Sequence, residues 1–373
     1  MLNSHTIKNI TMKRLTAIVA IVIIAISAGA QTPKDVKYVF TEASELNLIG
    51  KLMDTPNPYH RVDTVKYKGF TKGENEQVRC SAGLAVLFKT NSSVISVLAD
   101  YGYMNYDNST MGISLRGYDL YIKKDGEWLY AASQAAGMGS EENNLVLIKD
   151  MDGSMKECML YLPIYSEEYS IKIGVEEGAS LESIESPFRH RIAIFGSSYT
   201  HGISTGRPGM SYPMQLMRMT GLQILSLGCS GNCRMQPYFA DVLCDADADA
   251  FIFDSFSNPD AKMIEERLFP FIEKIQAAHP GKPLIFQQTI YRESRNFCLS
   301  SEAKESSKQA MAEKLMKEAV KKYKDVYFIQ TNAADEIHST SVDGIHPSDY
   351  GYTLWAESIR KPIVRILKKY GIR

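Results

Sequence analysis

Two segments of the chain carry residue types that together could perform nucleophilic catalysis on an acyl group. Ser198 lies in "FGSSYTHG", and Asp343 and His346 lie in "DGIHPSDYGY" near the C-terminus. A serine hydroxyl is a weak nucleophile near neutral pH, so it needs a base to remove its proton. His346 could take that proton, while Asp343 would fix the imidazole tautomer and stabilise the imidazolium. Pro347 restricts His346 to an extended conformation and is predicted to open the last helix.

Two further segments could supply the donors that stabilise an oxyanion. Gly231 lies in "GCSGN" and Asn258 in "DSFSNPD". The oxyanion could be held by the backbone N–H groups of Ser198 and Gly231 and by the carboxamide of Asn258. Each such donor typically lowers the activation barrier by about 3 kcal/mol. The chain has no Gly-x-Ser-x-Gly segment around Ser198, which argues against the nucleophile elbow of α/β-hydrolases.

Each of these residues also has a simpler explanation when it is taken alone. Ser198 could be a turn or helix-cap serine, "DGIHP" a tight turn and Gly231 a turn glycine. Asn258 could cap a helix that begins near Pro259. The ordered co-occurrence of all four segments, each after a predicted strand, points instead to a catalytic site.

The second half of the chain alternates apolar runs with helical stretches. The apolar runs are "RIAIF", "LQILSLG", "DAFIFDSF", "KPLIFQQT" and "VYFIQT", and the helical stretches include "MIEERLFPFIEKIQAA" and "AKESSKQAMAEKLMKEAVKKY". This alternation predicts an α/β fold with a parallel sheet covered by helices on both faces. Ligands of such folds bind at the carboxyl ends of the strands, so we expect the four segments to meet there.

From about Lys37 to Glu185 the chain instead consists of short apolar segments separated by turn residues. Examples are "GLAVLFKTNSSVISVLAD", "GISLRGYDLYIKKDGEWLYAAS", "CMLYLPIY" and "YSIKIGV". Alternation of apolar and polar residues with "DG" and "NS" turns predicts antiparallel strands in a β-sandwich or jelly roll. A length of 373 residues favours two globular domains. We therefore predict an accessory β-domain over residues 31–186, with "EGASLESIESPFRH" as its exit linker, and a catalytic domain over residues 187–373.

The first residues have the pattern of a secretory signal peptide. "MKR" is followed by the apolar run "LTAIVAIVIIAIS" and by "AGA", which ends at Ala30. Translation could start at Met1 or Met12, and an uncleaved membrane anchor is the alternative that the small-residue cleavage pattern opposes. We predict a periplasmic or secreted mature protein that begins near Gln31. No later stretch is long enough to span a bilayer, so we expect no stable membrane insertion after cleavage.

Charge and cysteine content exclude several other classes of protein. Lys and Arg number 42 and Asp and Glu 43, so the chain lacks the basic field that draws a protein onto nucleic acid. Cys229 and Cys233 have no second close cysteine or histidine pair, which opposes a zinc site. The six cysteines fit either free buried thiols or one disulfide in the second half. No cofactor motif is present, and we expect neither a metal nor an organic cofactor.

In order and spacing, the four segments resemble the blocks of the SGNH or GDSL family of serine esterases and acylhydrolases. The resemblance covers roughly the last half of the chain and implies a flavodoxin-like three-layer α/β/α catalytic domain. It implies Ser198 as the nucleophile, with its own N–H group, Gly231 and Asn258 as the oxyanion hole. His346 then corresponds to the general base and Asp343 to the carboxylate that orients it.

A second resemblance involves the first half of the chain. "GYDLY" at residues 117–121 is similar to the Gly-x-Asp-Leu-Tyr signature of the β-domain that precedes one bacterial branch of these hydrolases. Ser197 stands where many family members have aspartate, and a serine there can bond locally to the backbone. His60 and His201 are expected to be surface or loop histidines.

These resemblances imply an exported serine esterase or deacylase that forms an acyl-Ser198 intermediate. Exported members with an added β-domain often act on ester-substituted carbohydrates, so the resemblance favours a small-molecule or glycan ester such as an O-acetyl sugar. One alternative is a lysophospholipase or thioesterase with an apolar acyl tunnel. Another is a carbohydrate-binding protein whose hydrolase domain is vestigial.

Overall fold

The computed structural model describes residues 36–136 and 144–373. The predicted signal peptide, residues 1–30, lies outside the described residues. The chain from Val39 to Arg373 forms one compact unit. Within the described residues, no helix is both long and apolar enough to cross a membrane.

The first half of the described chain forms two sheets of antiparallel strand pairs. The strands are β1 (Tyr38–Glu42), β2 (Asn47–Ile49), β3 (Ala85–Thr90), β4 (Ile95–Met104), β5 (Tyr118–Lys124), β6 (Glu127–Gln134), β7 (Asn144–Ile148), β8 (Lys156–Tyr161), β9 (Ser166–Glu176) and β10 (Leu181–Ser183). One sheet has the order β1-β9-β4-β7, and the other has the order β10-β3-β8-β5-β6 with β2 paired to β3. The antiparallel strands predicted for this half are thus confirmed.

Strand β3 is buried on both of its faces. Val86 and Phe88 share an apolar cluster with Val97 of β4, which belongs to the other antiparallel sheet. Ala85 and Leu87 belong to a different cluster, which is built largely from residues of the second half of the chain. Because successive side chains of a strand point to opposite faces, β3 lies between the other sheet and the second half.

The first half also contains local structure that was not predicted from the sequence. Helix α1 (Lys72–Arg79) begins with a capping box formed by Thr71 and Glu74. Helix α2 (Gly112–Arg116) occupies "GISLR", for which a strand was expected. That prediction was wrong because five residues are too short for their periodicity to separate a helix from a strand. Strand β10 lies within the predicted linker and pairs with β3.

The second half contains the predicted parallel sheet. Its strands are β11 (Arg189–Gly196), β12 (Leu222–Gly228), β13 (Ala250–Asp254), β14 (Leu284–Gln287) and β15 (Val326–Ile329). All four strand pairs are parallel, and the order β12-β11-β13-β14-β15 is the flavodoxin-like order 2-1-3-4-5.

Helices cover both faces of this sheet. They are α3 (Ser198–His201), α4 (Tyr212–Thr220), α5 (Pro237–Cys244), α6 (Ala261–Ala278), α7 (Leu299–Lys322) and α8 (Asp349–Leu367). Phe195 of β11 belongs to an apolar cluster with residues of α5, α6 and α7. Its neighbour Ile194 belongs to the cluster that contains Leu216 of α4 and Trp355 of α8. Adjacent residues of one strand therefore pack against different helices, which gives the three predicted layers.

Candidate active site

The turn after β11 places Ser198 at the start of a short helix. The strand ends at Gly196, and Ser197 is the N-cap of α3, its hydroxyl accepting a hydrogen bond from the N–H of Tyr199 at 3.2 Å. A Cβ atom on Gly196 would lie 1.8 Å from Oγ1 of Thr200, so only glycine allows the helix to fold back this closely. Ser198 thus lies directly beyond the carboxyl end of the strand, as the sequence predicted.

Asp254, the last residue of β13, braces this turn from the neighbouring strand. Its Oδ2 accepts hydrogen bonds from the backbone N–H of Ser197 at 3.0 Å and from the Ser197 hydroxyl at 2.6 Å. Its Oδ1 accepts a hydrogen bond from the Ser257 hydroxyl at 2.6 Å. Burial raises the pKa of Asp254, and the hydrogen bonds from Ser197 and Ser257 oppose that effect. Asp254 was not among the residues predicted to form the site, although a carboxylate at the end of a strand is a usable signal.

Ser198, His346 and Asp343 form a continuous chain of hydrogen bonds. The Ser198 Oγ and His346 Nε2 atoms are 3.1 Å apart, and His346 Nδ1 lies 2.7 Å from Asp343 Oδ2. Asp343 Oδ1 accepts hydrogen bonds from the backbone N–H groups of Ile345 at 2.9 Å and His346 at 2.7 Å. Burial would raise the pKa of Asp343, but the hydrogen bonds from His346 outweigh it and hold the pKa below its usual value. The carboxylate therefore stays ionised beside the imidazole at neutral pH.

The loop that carries His346 is fixed by neighbouring elements. The Tyr199 hydroxyl donates a hydrogen bond to the carbonyl of Ile345 at 3.0 Å, and the Tyr199 ring packs edge-on against the imidazole with centroids 5.6 Å apart. The last helix does not open at Pro347 as predicted. It begins at Asp349, and Ser348 is its N-cap, because the serine hydroxyl accepts a hydrogen bond from a first-turn N–H group.

Asn258 is oriented by a backbone contact. Its Oδ1 accepts a hydrogen bond from the N–H of Cys233 at 3.1 Å, which assigns the oxygen of the carboxamide to that side. Within the described residues its Nδ2 group has no acceptor, so it is available to a ligand. Asn258 is not a helix cap, because α6 begins at Ala261 and the Asp260 carboxylate accepts from the N–H of Met263 at 2.8 Å.

The "GCSGN" loop presents Gly231 in a conformation suited to glycine. Gly231 has a φ of 71°, in the left-handed region. Gln77 of α1 holds the preceding residue by two hydrogen bonds, from Ser230 N to Gln77 Oε1 at 2.5 Å and from Gln77 Nε2 to Ser230 O at 3.1 Å. The Tyr165 hydroxyl bonds the Ser230 hydroxyl. Among the described residues, the N–H groups of Ser198 and Gly231 have no acceptor. The first half of the chain therefore positions part of the predicted oxyanion hole.

The "GYDLY" segment also contacts the catalytic half. Both carboxylate oxygens of Asp119 accept hydrogen bonds from Nη1 of Arg207, at 3.0 and 2.9 Å, and Oδ2 accepts a further one from the N–H of Gly209 at 2.9 Å. The Arg207 guanidinium lies 4.1 Å from the ring centroid of Tyr130. Asp119 is fully buried, and it ties the loop between α3 and α4 to β5.

Other candidate residues lie outside this arrangement. His201 is buried rather than on the surface; its Nε2 contacts the carbonyl of Ile164 at 2.6 Å, and burial holds its pKa well below the usual value. His60 lies in a loop, with its Nε2 2.8 Å from a Glu167 carboxylate oxygen. All six cysteines are free, including the buried Cys229.

The fold and this site define a serine hydrolase of the SGNH type that acts on esters. Residues 189–365 match the GDSL-like lipase/acylhydrolase family, and residues 36–181 match the N-terminus of SGNH-hydrolase-type esterases. The chain belongs to the GDSL-like lipase/acylhydrolase family. Both resemblances drawn from the sequence are thereby confirmed.

Several solved structures share the architecture. A protein described as a GDSL-like lipase from Bacteroides ovatus is 37% identical, with a TM-score of 0.84, over 89% of this chain and 98% of that chain. A salicylyl acyltransferase from a tetracycline biosynthetic pathway is 18% identical, with a TM-score of 0.70, over 90% and 99% of the two chains. A family two carbohydrate esterase from Cellvibrio japonicus is 11% identical, with a TM-score of 0.59, over 89% and 98%. The last two show the fold alone. No curated protein sequence matches the chain significantly.

Proposed function

We propose that this enzyme hydrolyses esters of short acyl groups through an acyl-Ser198 intermediate. The observation that carries the proposal is the chain of hydrogen bonds from Ser198 through His346 to Asp343. His346 Nε2 takes the proton of Ser198 as its Oγ bonds to the acyl carbon, and the carbonyl oxygen becomes an oxyanion. The N–H groups of Ser198 and Gly231 and the Asn258 amide donate to that oxyanion.

Two further steps complete the turnover. Collapse of the tetrahedral state breaks the bond to the alcohol, which leaves with the proton held by His346. Water then loses a proton to His346 and attacks the acyl carbon, and Ser198 leaves with that proton as the acid is released. Asp343 remains ionised throughout and stabilises the imidazolium in both steps.

The alcohol part of the substrate is proposed to be a carbohydrate. A cavity of about 470 Å³ beside the triad is lined by Tyr106, Asp107, Asn108, Ser109, Val342 and Asp343. Amide, carboxylate and hydroxyl groups suit a ligand with many hydroxyls, and the Tyr106 side chain, 65% exposed, offers a ring face for a sugar. The family two carbohydrate esterase from Cellvibrio japonicus has the same fold, which is consistent with a carbohydrate ester as the substrate.

A longer acyl group, as in a lysophospholipase or thioesterase, is the second candidate. The observation that favours it is the exposure of Val342 and Ile345 beside Asp343 and His346. Hydrolysis of nitrophenyl esters of increasing chain length by the purified protein separates the two. We expect the rate to fall with chain length, and a rate that rises towards long chains would favour the second candidate.

The assignment of the nucleophile is tested by a pair of variants. Ser198→Ala should abolish turnover of nitrophenyl acetate, whereas Ser197→Ala should retain a large part of it, because Ser197 bonds Asp254 and not the imidazole. A fluorophosphonate probe should label the unmodified protein at Ser198. An inactive Ser197→Ala with an active Ser198→Ala would reverse the assignment.

The carbohydrate assignment is tested on acetylated sugars. Tyr106→Ala should raise the KM for an acetylated oligosaccharide about tenfold or more, because an aromatic face contributes to binding. The same variant should leave nitrophenyl acetate hydrolysis unchanged. Equal effects on both substrates would argue against a sugar at this cavity, and sugar binding without turnover by the native protein would favour the vestigial alternative.

Export and the domain division are further parts of the proposal. The signal peptide pattern of residues 1–30 supports a periplasmic or secreted protein. The change from antiparallel to parallel pairing between Ser183 and Arg189 supports a boundary near residue 186. The apolar cluster shared by the two antiparallel sheets supports a β-sandwich.

A further inference from the structure

Arg61, in the first half of the chain, is a fully buried cation without a carboxylate partner. Its side chain is 1% exposed, and within the described residues it forms no ion pair. All its hydrogen bonds go to backbone carbonyls. They reach Gln77 O at 2.5 Å, Cys80 O at 2.8 Å, Gly228 O at 3.0 Å and Ser226 O at 3.3 Å.

A buried charge of this kind is unfavourable unless its surroundings compensate it. Here the compensation comes from carbonyl dipoles at the C-terminal end of α1 and at the carboxyl end of β12. The nearby Cys229 thiol supplies no negative charge, because burial raises its pKa to about 12. A neutral side chain could fill the same space without this desolvation, so the cation requires an explanation beyond packing.

The contacts of Arg61 converge on the loop that carries Gly231. The guanidinium holds the carbonyl of Gly228, where the "GCSGN" loop begins. It also donates a hydrogen bond to the backbone carbonyl of Gln77, whose side chain forms two hydrogen bonds with the backbone of Ser230. The segment from Gly228 to Ser230 is therefore held at both ends by contacts that depend on the Arg61 side chain, directly at Gly228 and through Gln77 at Ser230.

We propose that Arg61 is a positioning residue that sets the Gly231 N–H group for the oxyanion, acting through Gly228 and through Gln77. Arg61 does not touch the substrate. The inference rests on the proposed oxyanion role of Gly231.

The test compares four variants of the full chain in the hydrolysis of nitrophenyl acetate. Arg61→Met and Gln77→Leu should each lower kcat by at least about tenfold, with KM changed less than about twofold. The reason is that a displaced Gly231 N–H group stabilises the transition state less but leaves binding of the ester unchanged. Inhibition by a boronic acid, which forms an anionic tetrahedral adduct with the serine, should weaken in parallel with kcat. Arg79→Met is the matched control, since Arg79 lies on α1 together with Gln77 but forms an ion pair with Glu167. Its kcat should equal that of the native protein.

Melting temperature and turnover are measured on the same preparations. A lower melting temperature with normal kcat per folded molecule and normal boronate inhibition in Arg61→Met and Gln77→Leu would overturn the inference. If Arg61→Met does not fold, Gln77→Leu decides by itself, because its side chain is only partly buried. Ser198→Ala in the same assay keeps the two proposals apart. Activity in that variant would reject the nucleophile, whereas its inactivity together with normal kcat in both Arg61→Met and Gln77→Leu would reject only the role of Arg61.

Discussion

At the scale of single residues, Asn258 and Asp260 lie only two positions apart but make different contacts. The Asn258 amide has no acceptor among the described residues, while Asp260 caps α6. We expect Asn258→Ala to lower kcat about 100-fold to 1000-fold with little change in KM. The reason is that the amide meets a full negative charge only in the tetrahedral state. Steady-state kinetics on an acetyl ester measure both constants.

Asp260→Ala is the control for this variant. It removes the cap and should lower the free energy of unfolding by about 1 kcal/mol without changing turnover per folded molecule. The melting temperature and kcat are measured for both variants, Asn258→Ala and Asp260→Ala. If Asn258→Ala were destabilised with normal turnover, the oxyanion assignment would be wrong.

Glu168, on β9, predicts a pH dependence of stability. It is fully buried, and burial raises its pKa to about 8 from an ordinary value of 4.5, although hydrogen bonds from Ser166 and Ser81 oppose the shift. Between these values the folded protein holds a proton that the unfolded chain has lost. The stabilisation is therefore complete below pH 4.5 and is lost as pH rises towards 8, by at most about 1.4 kcal/mol per pH unit.

Glu168→Gln tests this dependence, because the amide cannot ionise. The free energy of unfolding, measured with denaturant at pH 5 and pH 8, should fall less between the two conditions in the variant than in the native protein. An identical fall in both proteins would show that Glu168 does not hold the proton.

At the scale of elements, Asp119 connects β5 to the loop that follows α3. Asp119→Ala would leave the Arg207 cation without its carboxylate, and we expect the free energy of unfolding to fall by about 2–4 kcal/mol. The effect should lie below that of a fully buried pair, because the Arg207 side chain is 21% exposed. Lys123 lies on the same strand as Asp119 and forms a more exposed pair with Glu157 of β8. Lys123→Ala breaks this pair and should change stability by about 0.5 kcal/mol or less. Equal losses in both variants, measured by denaturant unfolding, would contradict the importance of the buried pair.

Sequence patterns predicted the elements better than the contacts between them. The alternation of buried strands and amphipathic helices located all five parallel strands, because burial on both faces leaves continuous apolar runs. The positions of Ser198 and His346 followed from the same pattern, since each lies after a strand. Gln77 and Arg61 carry no local signal of their role, because the loop residues that they hold, Ser230 and Gly228, lie 153 and 167 residues away in the chain.

At the scale of the whole molecule, the two halves share an apolar cluster. Ala85, Leu87 and Met159 of the first half belong to the same cluster as Tyr212 and Met214 of the second. Residues 187–373 expressed alone would expose these side chains and would lose the contacts that hold "GCSGN". We expect that fragment to be poorly soluble or altered in substrate selectivity, as measured by sedimentation and by an ester panel. A fully stable fragment with unchanged selectivity would contradict this expectation.

The spacing of the triad also has a consequence for the order in which the enzyme matures. Ser198 and His346 are 148 residues apart, and His346 lies just before α8. A ribosome therefore makes the proposed nucleophile long before the proposed base. The growing chain is therefore expected to cleave no esters until His346 has been synthesised and has reached Ser198. A chain terminated before residue 346 should be permanently inert, however well its earlier portion folds.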